Sequence, residues 1–389
     1  MMRHGAGSPT LGPLPWRAPR TAMAVLLAVT MAGTGSSFTA DPGPEGASRA
    51  RFLMGTRLII ECRGQVDPQL FDEAFGEVAR LEGILSNWIE SSEVSRLNRE
   101  GPRAPFPVSG DLLHAVEVSL AWAERTGGAF DPTVESLVRW YGLRAGGAFA
   151  GFPSPPEGER GEAAGEVPES KRPVVGWRHV DVDREGHSVQ FRRDGIGIEL
   201  GGIGKGIALD AAVRILRTGG VVSGLLDFGG QVMVVGETAP EDGWLIGVAD
   251  PEQRDRAVAT VTLHRGSLAT SGNSERAVTG DQGRTGHILD PASGAPAQFT
   301  GTVSVLAEDG TSADALSTAL FVMGPERGLE WAESRGIAAL YIRRTDDGEL
   351  QFMSTRAMRP GIDWSPAERT VNGAADALSL LSRGIRNRS

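Results

Sequence analysis

Cysteine is almost missing from this chain: one residue in 389, Cys62. A lone thiol closes no internal disulfide and builds no CxxC cluster, so disulfide scaffolds and dithiol oxidoreductases are excluded. Cys62 lies in the run RLIIECRG and reads as a buried, inert thiol. An excess of positive charge is missing too. At a net charge of −10 the chain cannot neutralise a polyphosphate backbone, which excludes a general binder of nucleic acid or anionic membrane. A local cationic pocket stays open. The sequence contains no HExxH and no GxSxG, which removes zinc proteases and α/β-hydrolases. Beyond residue 40 there is no tandem repeat and no apolar run long enough to cross a bilayer.

What is present begins with a targeting segment. Arg3, Arg17 and Arg20 precede the apolar run AMAVLLAVTMA over 22–32, and small polar residues follow. The run has the length of a signal-peptide core and is short for a membrane span. No cysteine follows it and no twin arginine precedes it, so a lipoprotein anchor and folded export are unsupported. Export is expected, with cleavage between Gly33 and Asp41 or retention of the segment as a short membrane anchor. Residues 1–40 therefore stand apart from a domain over 41–364 and a polar tail over 365–389.

Within that domain, 51–62 alternates as a strand. Asp67 opens a helix whose apolar stripe runs through Leu70, Phe71, Ala74, Phe75, Val78, Leu81, Ile84, Leu85 and Trp88. Ser109 has the chemistry of an N-cap for a second helix, which Gly127 and Gly128 stop. Residues 145–172 are rich in Gly, Pro, Glu and Ala without periodicity and read as an irregular insertion. From Trp177 onward short β-like runs recur: HVDVD, SVQFRR, GIGIEL, GLLDF, QVMVVGE, WLIGVAD, AVATVTLH, TVSVLAE and AALYIRR. Helices at 207–217 and 313–323 interrupt them. This is not βαβα alternation. The expected class is α+β, with mixed or antiparallel sheets and flanking helices.

The most informative stretch is ELGGIGKGIALDAAVRIL over 199–216, a strand end, a glycine-rich turn and a helix start. Such a turn can present backbone N–H groups to a phosphate. Gly206 follows Lys205 where a P-loop needs Ser or Thr, and the GxGxG spacing misses the dinucleotide fingerprint. In ADALSTALFVMG, Asp314 and Thr318 lie four apart on one helical face and offer oxygens suited to Mg²⁺; a helix-capping role for the first turn fits the spacing as well. HILDPASG places His287 three residues before Asp290, a base candidate or an incidental residue in an Asx turn. LATSGN reads as a small-residue turn or a hairpin end. GGAFDPT offers Phe130 beside Asp131, and Trp88 in SNWIESSEVSRLN suits either a core plug or a stacking surface.

Taken in order, MGT, SNWIESSEVSRLN, TGGAFDPTV, ELGGIGKGIALD, DFGGQ, ATSGN, HILDPASGAP and ADALSTALFVMGPERGLE resemble the ApbE family of FAD:protein FMN transferases. The resemblance runs from about Phe52 to Gly361. It implies an α+β fold with FAD in a cleft between two subdomains, and a Mg²⁺-dependent transferase. Such an enzyme splits FAD, its substrate, and attaches FMN to a Thr or Ser of an acceptor redox protein, releasing AMP. In the family the acceptor is typically exported or membrane-bound, which fits the targeting segment and implies an enzyme in the periplasm or on the outer face of the membrane. Flavin and adenine contacts would fall on Met54, Trp88, Ala129, Phe130, Asp131, Glu199, Lys205 and Leu289. The metal would be held by the Gly202 carbonyl with Asp314, Thr318 and Ser317. His287 is the implied base, and Asp290 fixes the turn or orients that histidine.

The chain departs from the family pattern at Trp88 (often Tyr), at Gly202 (often Ala or Thr), around Asp227 and Gln231, and in the irregular stretch 153–171. Two readings compete with transfer: a Mg²⁺-dependent FAD pyrophosphatase that gives FMN and AMP, and an exported protein that binds FAD without chemistry.

Overall fold

A two-residue turn folds the first expected strand back on itself. In this computed structural model, β1 (Gly46–Leu53) and β2 (Thr56–Arg63) form an antiparallel hairpin where the sequence predicts one strand over 51–62. Met54 and Gly55 occupy the turn at φ 46° and 73°. A two-residue hairpin turn of this kind needs positive φ at both centres, and Met54 gives no sequence signal for it. The structure describes residues 46–143, 173–236, 243–273, 278–280 and 283–364. The expected leader, the insertion 145–172 and the tail 365–389 lie outside the described residues.

Asp67 caps α1 (Pro68–Leu85) by accepting from the Gln69 N–H at 2.9 Å. Phe71, Ala74, Phe75, Val78, Leu81 and Leu85 form its buried stripe. The helix stops at Leu85, so Trp88 leaves the stripe and is 52 % exposed. Next come α2 (Glu93–Glu100), β3 (Phe106–Pro107), α3 (Gly110–Arg125) and α4 (Glu135–Trp140). Ser109 caps α3 through the Leu112 N–H, as its sequence position predicts.

Strands β4 (Val180–Asp183) and β5 (Ser188–Phe191) join β3 in a small sheet ordered β3-β5-β4. The run 195–200, predicted as a strand, has no partner strand. The Ile198 N–H donates to Asn98 Oδ1 at 2.6 Å, and its carbonyl accepts from the side-chain amides of Asn98 and Asn87, each at 2.8 Å. Side-chain amides satisfy the backbone that a neighbouring strand would otherwise pair.

Helix α5 (Gly204–Thr218) leads into β6 (Gly224–Phe228), β7 (Gln231–Val235), β8 (Trp244–Ala249), β9 (Ala257–Leu263) and β10 (Ser267–Gly272). Thus LATSGN is mostly strand interior rather than a turn. Two short hairpins follow, β11 (Val278–Gly280) with β12 (Gly283–Thr285) and β13 (Leu289–Asp290) with β14 (Ala295–Pro296). The chain ends its described course with β15 (Thr302–Ala307), α6 (Gly310–Glu333), β16 (Ala338–Arg344), β17 (Leu350–Ser354) and β18 (Ile362–Trp364). Helix α6 runs past the predicted 323 because Gly324, at φ 72° and ψ 171°, kinks it and Pro325 restarts it.

The main sheet has the order β1-β2-β6-β7-β10-β15-β16-β17, and every strand pair among the described residues is antiparallel. Met233 and Val235 point to the core shared with α1, α5 and α6, whereas Val232 and Val234 pack beneath the sheet β18-β9-β8. Strand β7 is therefore covered on both faces, which explains its unbroken apolar run. The α+β class holds.

Candidate functional site

Helices α5 and α6 begin side by side, and the polar residues of the sequence motifs gather there. Gly206 makes the approach possible: a Cβ on it would lie 2.2 Å from the Gly310 carbonyl oxygen. No other residue type fits that gap. Across it, the Gly206 N–H donates to Asp314 Oδ2 at 3.1 Å, and Lys205 Nζ lies 3.2 Å from Asp314 Oδ1. Asp314 is 4 % exposed, so this ion pair is largely removed from solvent on the carboxylate side.

The other oxygen donors surround Asp314. Thr318, one turn further along α6, lies with Oγ1 3.4 Å from the Gly202 carbonyl. Ser317 donates to the Asp314 carbonyl at 2.9 Å, and its hydroxyl is 2.8 Å from that of Ser271 on β10. A Cβ on Gly202 would sit 3.1 Å from Thr318 Oγ1 and 3.3 Å from the Phe130 ring. Glycine here lets the loop lie between helix and ring.

Four N–H groups of the glycine-rich loop are engaged within the protein. Gly201 donates to Glu199 Oε1 at 2.9 Å, Ile203 and Gly204 donate to the Leu200 carbonyl, and Gly206 donates to Asp314. These four members of the backbone cradle expected from the sequence are therefore engaged with the protein itself, and the positive charge at this point is Lys205. The loop shapes a set of side chains rather than a nest of amides.

The remaining sequence-derived residues lie on other segments, of which 129–132 is tied to the glycine-rich loop. The Glu199 N–H donates to the Pro132 carbonyl at 2.7 Å, which brings the 129–132 segment alongside. Phe130 is buried, and Ala129 packs partly buried against the same core. Asp131 accepts from the N–H and hydroxyl of Thr133 and from the Trp177 N–H. Burial pushes its carboxyl above the usual range, and those donors oppose the shift. Trp88 follows Asn87, which is tied to Ile198 beside Glu199, and its indole is exposed.

Met54 sits in the first hairpin turn, and its neighbour Thr56 meets the Gly229 turn between β6 and β7. Leu289 is buried. His287 is half-buried and follows Gly286, which packs against Asn273 just past Ser271. Asp290 accepts from the Ala292 N–H and the Ser293 hydroxyl, at 2.9 and 2.8 Å, the arrangement that fixes its own turn.

Sequence reasoning gives no supporting role to three residues, one of which, Gln231, it marks only as a departure from the family pattern. Asp210, one turn along α5, accepts from the Gly310 N–H, the Thr311 N–H and the Thr311 hydroxyl at 2.7, 2.9 and 2.5 Å. Gln231 is fully buried and donates to the Gly310 carbonyl at 2.7 Å. Asn98 holds Ile198 as described above. Each is a short polar residue in a motif already marked as informative, yet its partner lies far along the chain.

Fold and site together define an antiparallel α+β protein that gathers oxygen donors and one lysine where two helices begin. The ApbE family model matches residues 54–341. A protein of Treponema pallidum named FAD:protein FMN transferase is 31 % identical over 76 % of this chain and 84 % of its own length. The ApbE protein of Thermotoga maritima superposes with a TM-score of 0.71 at 29 % identity, covering 82 % of this chain and 99 % of that one. The flavin transferase ApbE of Vibrio cholerae gives 0.68 at 26 % identity, over 84 % and 100 %. The chain belongs to the ApbE family.

Proposed function

We propose that this protein is an FAD:protein FMN transferase, which moves the FMN half of FAD onto an acceptor protein and releases AMP. The observation that carries the reading is the pairing of Lys205 with Asp314 where α5 and α6 begin, within the span matched by the family model. A pyrophosphate is a compact anion, and the Lys205 ammonium together with a cation held by the neighbouring oxygen donors would favour it.

The donor set suits Mg²⁺: Asp314, Thr318, Ser317 and the Gly202 carbonyl are all hard oxygens within one cluster. Bound there, the ion would supply the positive charge that offsets charge developing on the pyrophosphate. Lys205 would exchange its Asp314 partner for a phosphate oxygen. Phe130 walls the loop, and Trp88 offers an exposed face for a planar ring, with Met54, Ala129, Asp131, Glu199 and Leu289 completing the FAD contacts. His287 takes the proton of an acceptor Thr or Ser as its oxygen attacks the FMN-side phosphorus, and Asp290 holds the turn that carries His287. AMP departs with the bridging oxygen.

The targeting segment over 22–32 supports an extracytoplasmic site of action and a redox protein there as acceptor, with the segment, where it is retained, as a membrane tether. Among the described residues no helix is long and apolar enough to cross a membrane.

The test is incubation of the chain with FAD and Mg²⁺, with and without an exported redox subunit bearing a Thr or Ser acceptor. AMP release that depends on the acceptor, with a fluorescent acceptor band on a denaturing gel, is the expected result. AMP and free FMN without acceptor would make the protein a pyrophosphatase instead. Unchanged FAD on the protein would reduce it to a carrier.

A further inference from the structure

Helix α6 carries Asp314 and Thr318, but its first turn is held by groups from elsewhere. The Gly310 peptide is gripped on both sides: its N–H by Asp210 and its carbonyl by Gln231. Asp210 also takes both donors of Thr311. Asp309 already caps α6 in the ordinary way, accepting from the Ser312 N–H and hydroxyl at 2.6 and 2.9 Å. The α6 terminus therefore has one cap from its own chain end and a second from α5. Asp309 satisfies only the Ser312 N–H, so the Gly310 and Thr311 N–H groups of the first turn are satisfied from another helix rather than from the local chain.

The position of the second cap is informative. Gly206 and Asp210 lie four apart on α5, and Gly310 and Asp314 lie four apart on α6. Gly206 donates to Asp314, and Asp210 accepts from Gly310, so the two bonds bracket the point of closest approach. Two attachments one turn apart fix both the spacing and the rotation of one helix against the other. Rotation is what decides whether the face carrying Asp314 and Thr318 meets the Gly202 carbonyl.

We propose that Asp210 is a positioning residue for the cation site: from α5 it locks the first turn of α6 so that Asp314 and Thr318 stand opposite Gly202. The inference rests on reading Asp314 and its neighbours as a metal site. Asp210 supplies only acceptors to three converging donors. An asparagine would turn an amide N–H₂ toward at least one of them, so the isosteric change Asp210→Asn loosens the lock with little change in volume.

Mn²⁺ alone is the probe, titrated into the full chain with free ion followed by its paramagnetic resonance signal. Circular dichroism and thermal unfolding are recorded on each variant. Four variants are compared: Asp314→Asn, Asp210→Asn, Thr311→Val and Asp309→Ala. Asp314→Asn tests the underlying reading, and abolished Mn²⁺ binding is expected. Asp210→Asn should weaken Mn²⁺ binding about tenfold or more, the scale seen when residues that orient metal ligands are lost. Thr311→Val, which removes one of the three donors, should weaken it less. Asp309→Ala should lower the unfolding temperature and leave Mn²⁺ affinity unchanged.

Wild-type affinity in Asp210→Asn, or equal weakening in Asp309→Ala, would overturn the positioning role while leaving the metal site standing. If Asp210→Asn fails to fold, Thr311→Val decides, and unchanged affinity there overturns the proposal. Mn²⁺ binding indifferent to Asp314→Asn would overturn the metal reading itself and the inference with it.

Discussion

At the scale of single residues, contact distances decide which positions tolerate change. Gly206→Ala would set a methyl group 2.2 Å from the Gly310 oxygen and 2.7 Å from Thr311 Cα, both rigid backbone. The helices must then separate. We expect a loss of about 1–3 kcal/mol in denaturant unfolding, with flavin transfer falling by more than the stability loss explains. Retained transfer in a folded variant would show that the close helix approach is not needed.

Cys62 gives a pH prediction of defined sign. Burial, aided by the neighbouring Glu61 charge, pushes its thiol up to about 12 from an ordinary 9.0. The unfolded chain loses the proton near pH 9 while the folded chain keeps it. Its contribution is therefore complete below about pH 9 and falls as pH rises toward 12. The slope is about 1.4 kcal/mol per pH unit. Cys62→Ala should flatten the alkaline fall in stability by that amount, measured by urea unfolding from pH 8 to 11. Tyr341, raised by burial with its hydroxyl on the Leu320 carbonyl, keeps its own share.

At the scale of elements, the first hairpin stores strain at a position assigned to FAD. Met54 has φ 46°, which costs a non-glycine residue about 1 kcal/mol, and asparagine tolerates that region better. Met54→Asn should raise the unfolding temperature and raise KM for FAD. A stabilised variant with unchanged KM would show that the strain has no part in binding. The end of α1 makes a related point. Its stripe of buried residues continues in sequence to Trp88, but the backbone leaves the helix at Leu85 and the indole is left exposed.

At the scale of the whole molecule, the second apolar cluster ties the sheet β18-β9-β8 to the main sheet on the face away from α5 and α6. Two ion pairs made by one arginine join them at the edge. Arg344 of β16 contacts the carboxylate of Asp250, whose side chain is 0 % exposed, and reaches Glu252 at 3.1 Å. Asp250 also accepts from the N–H groups of Glu252 and Gln253. Arg344→Ala would leave a buried carboxylate short of its counter-charge, at a cost of about 3 kcal/mol. Because the pair lies across the sheet from Lys205, kcat for transfer should be unchanged below the melting transition. A large fall in kcat would mean that the two faces are coupled.

The sequence by itself determined the helices at Asp67 and Ser109, most strands from 180 onward, the α+β class and the motif order that marks the family. These follow from local rules: capping hydroxyls and carboxylates, period-two burial, and glycines at required turns. The tertiary structure decided three other matters. The 195–200 run forms no strand because Asn87 and Asn98 occupy its backbone, and the 51–62 run is a hairpin because Met54 accepts a left-handed turn. Asp314 meets Lys205 and Gly206, and Asp210 meets Gly310, across separations of 109, 108 and 100 residues. A carboxylate reads the same in sequence whether it caps its own helix or clamps a distant one. Only packing, at the distance glycine allows between α5 and α6, makes the difference.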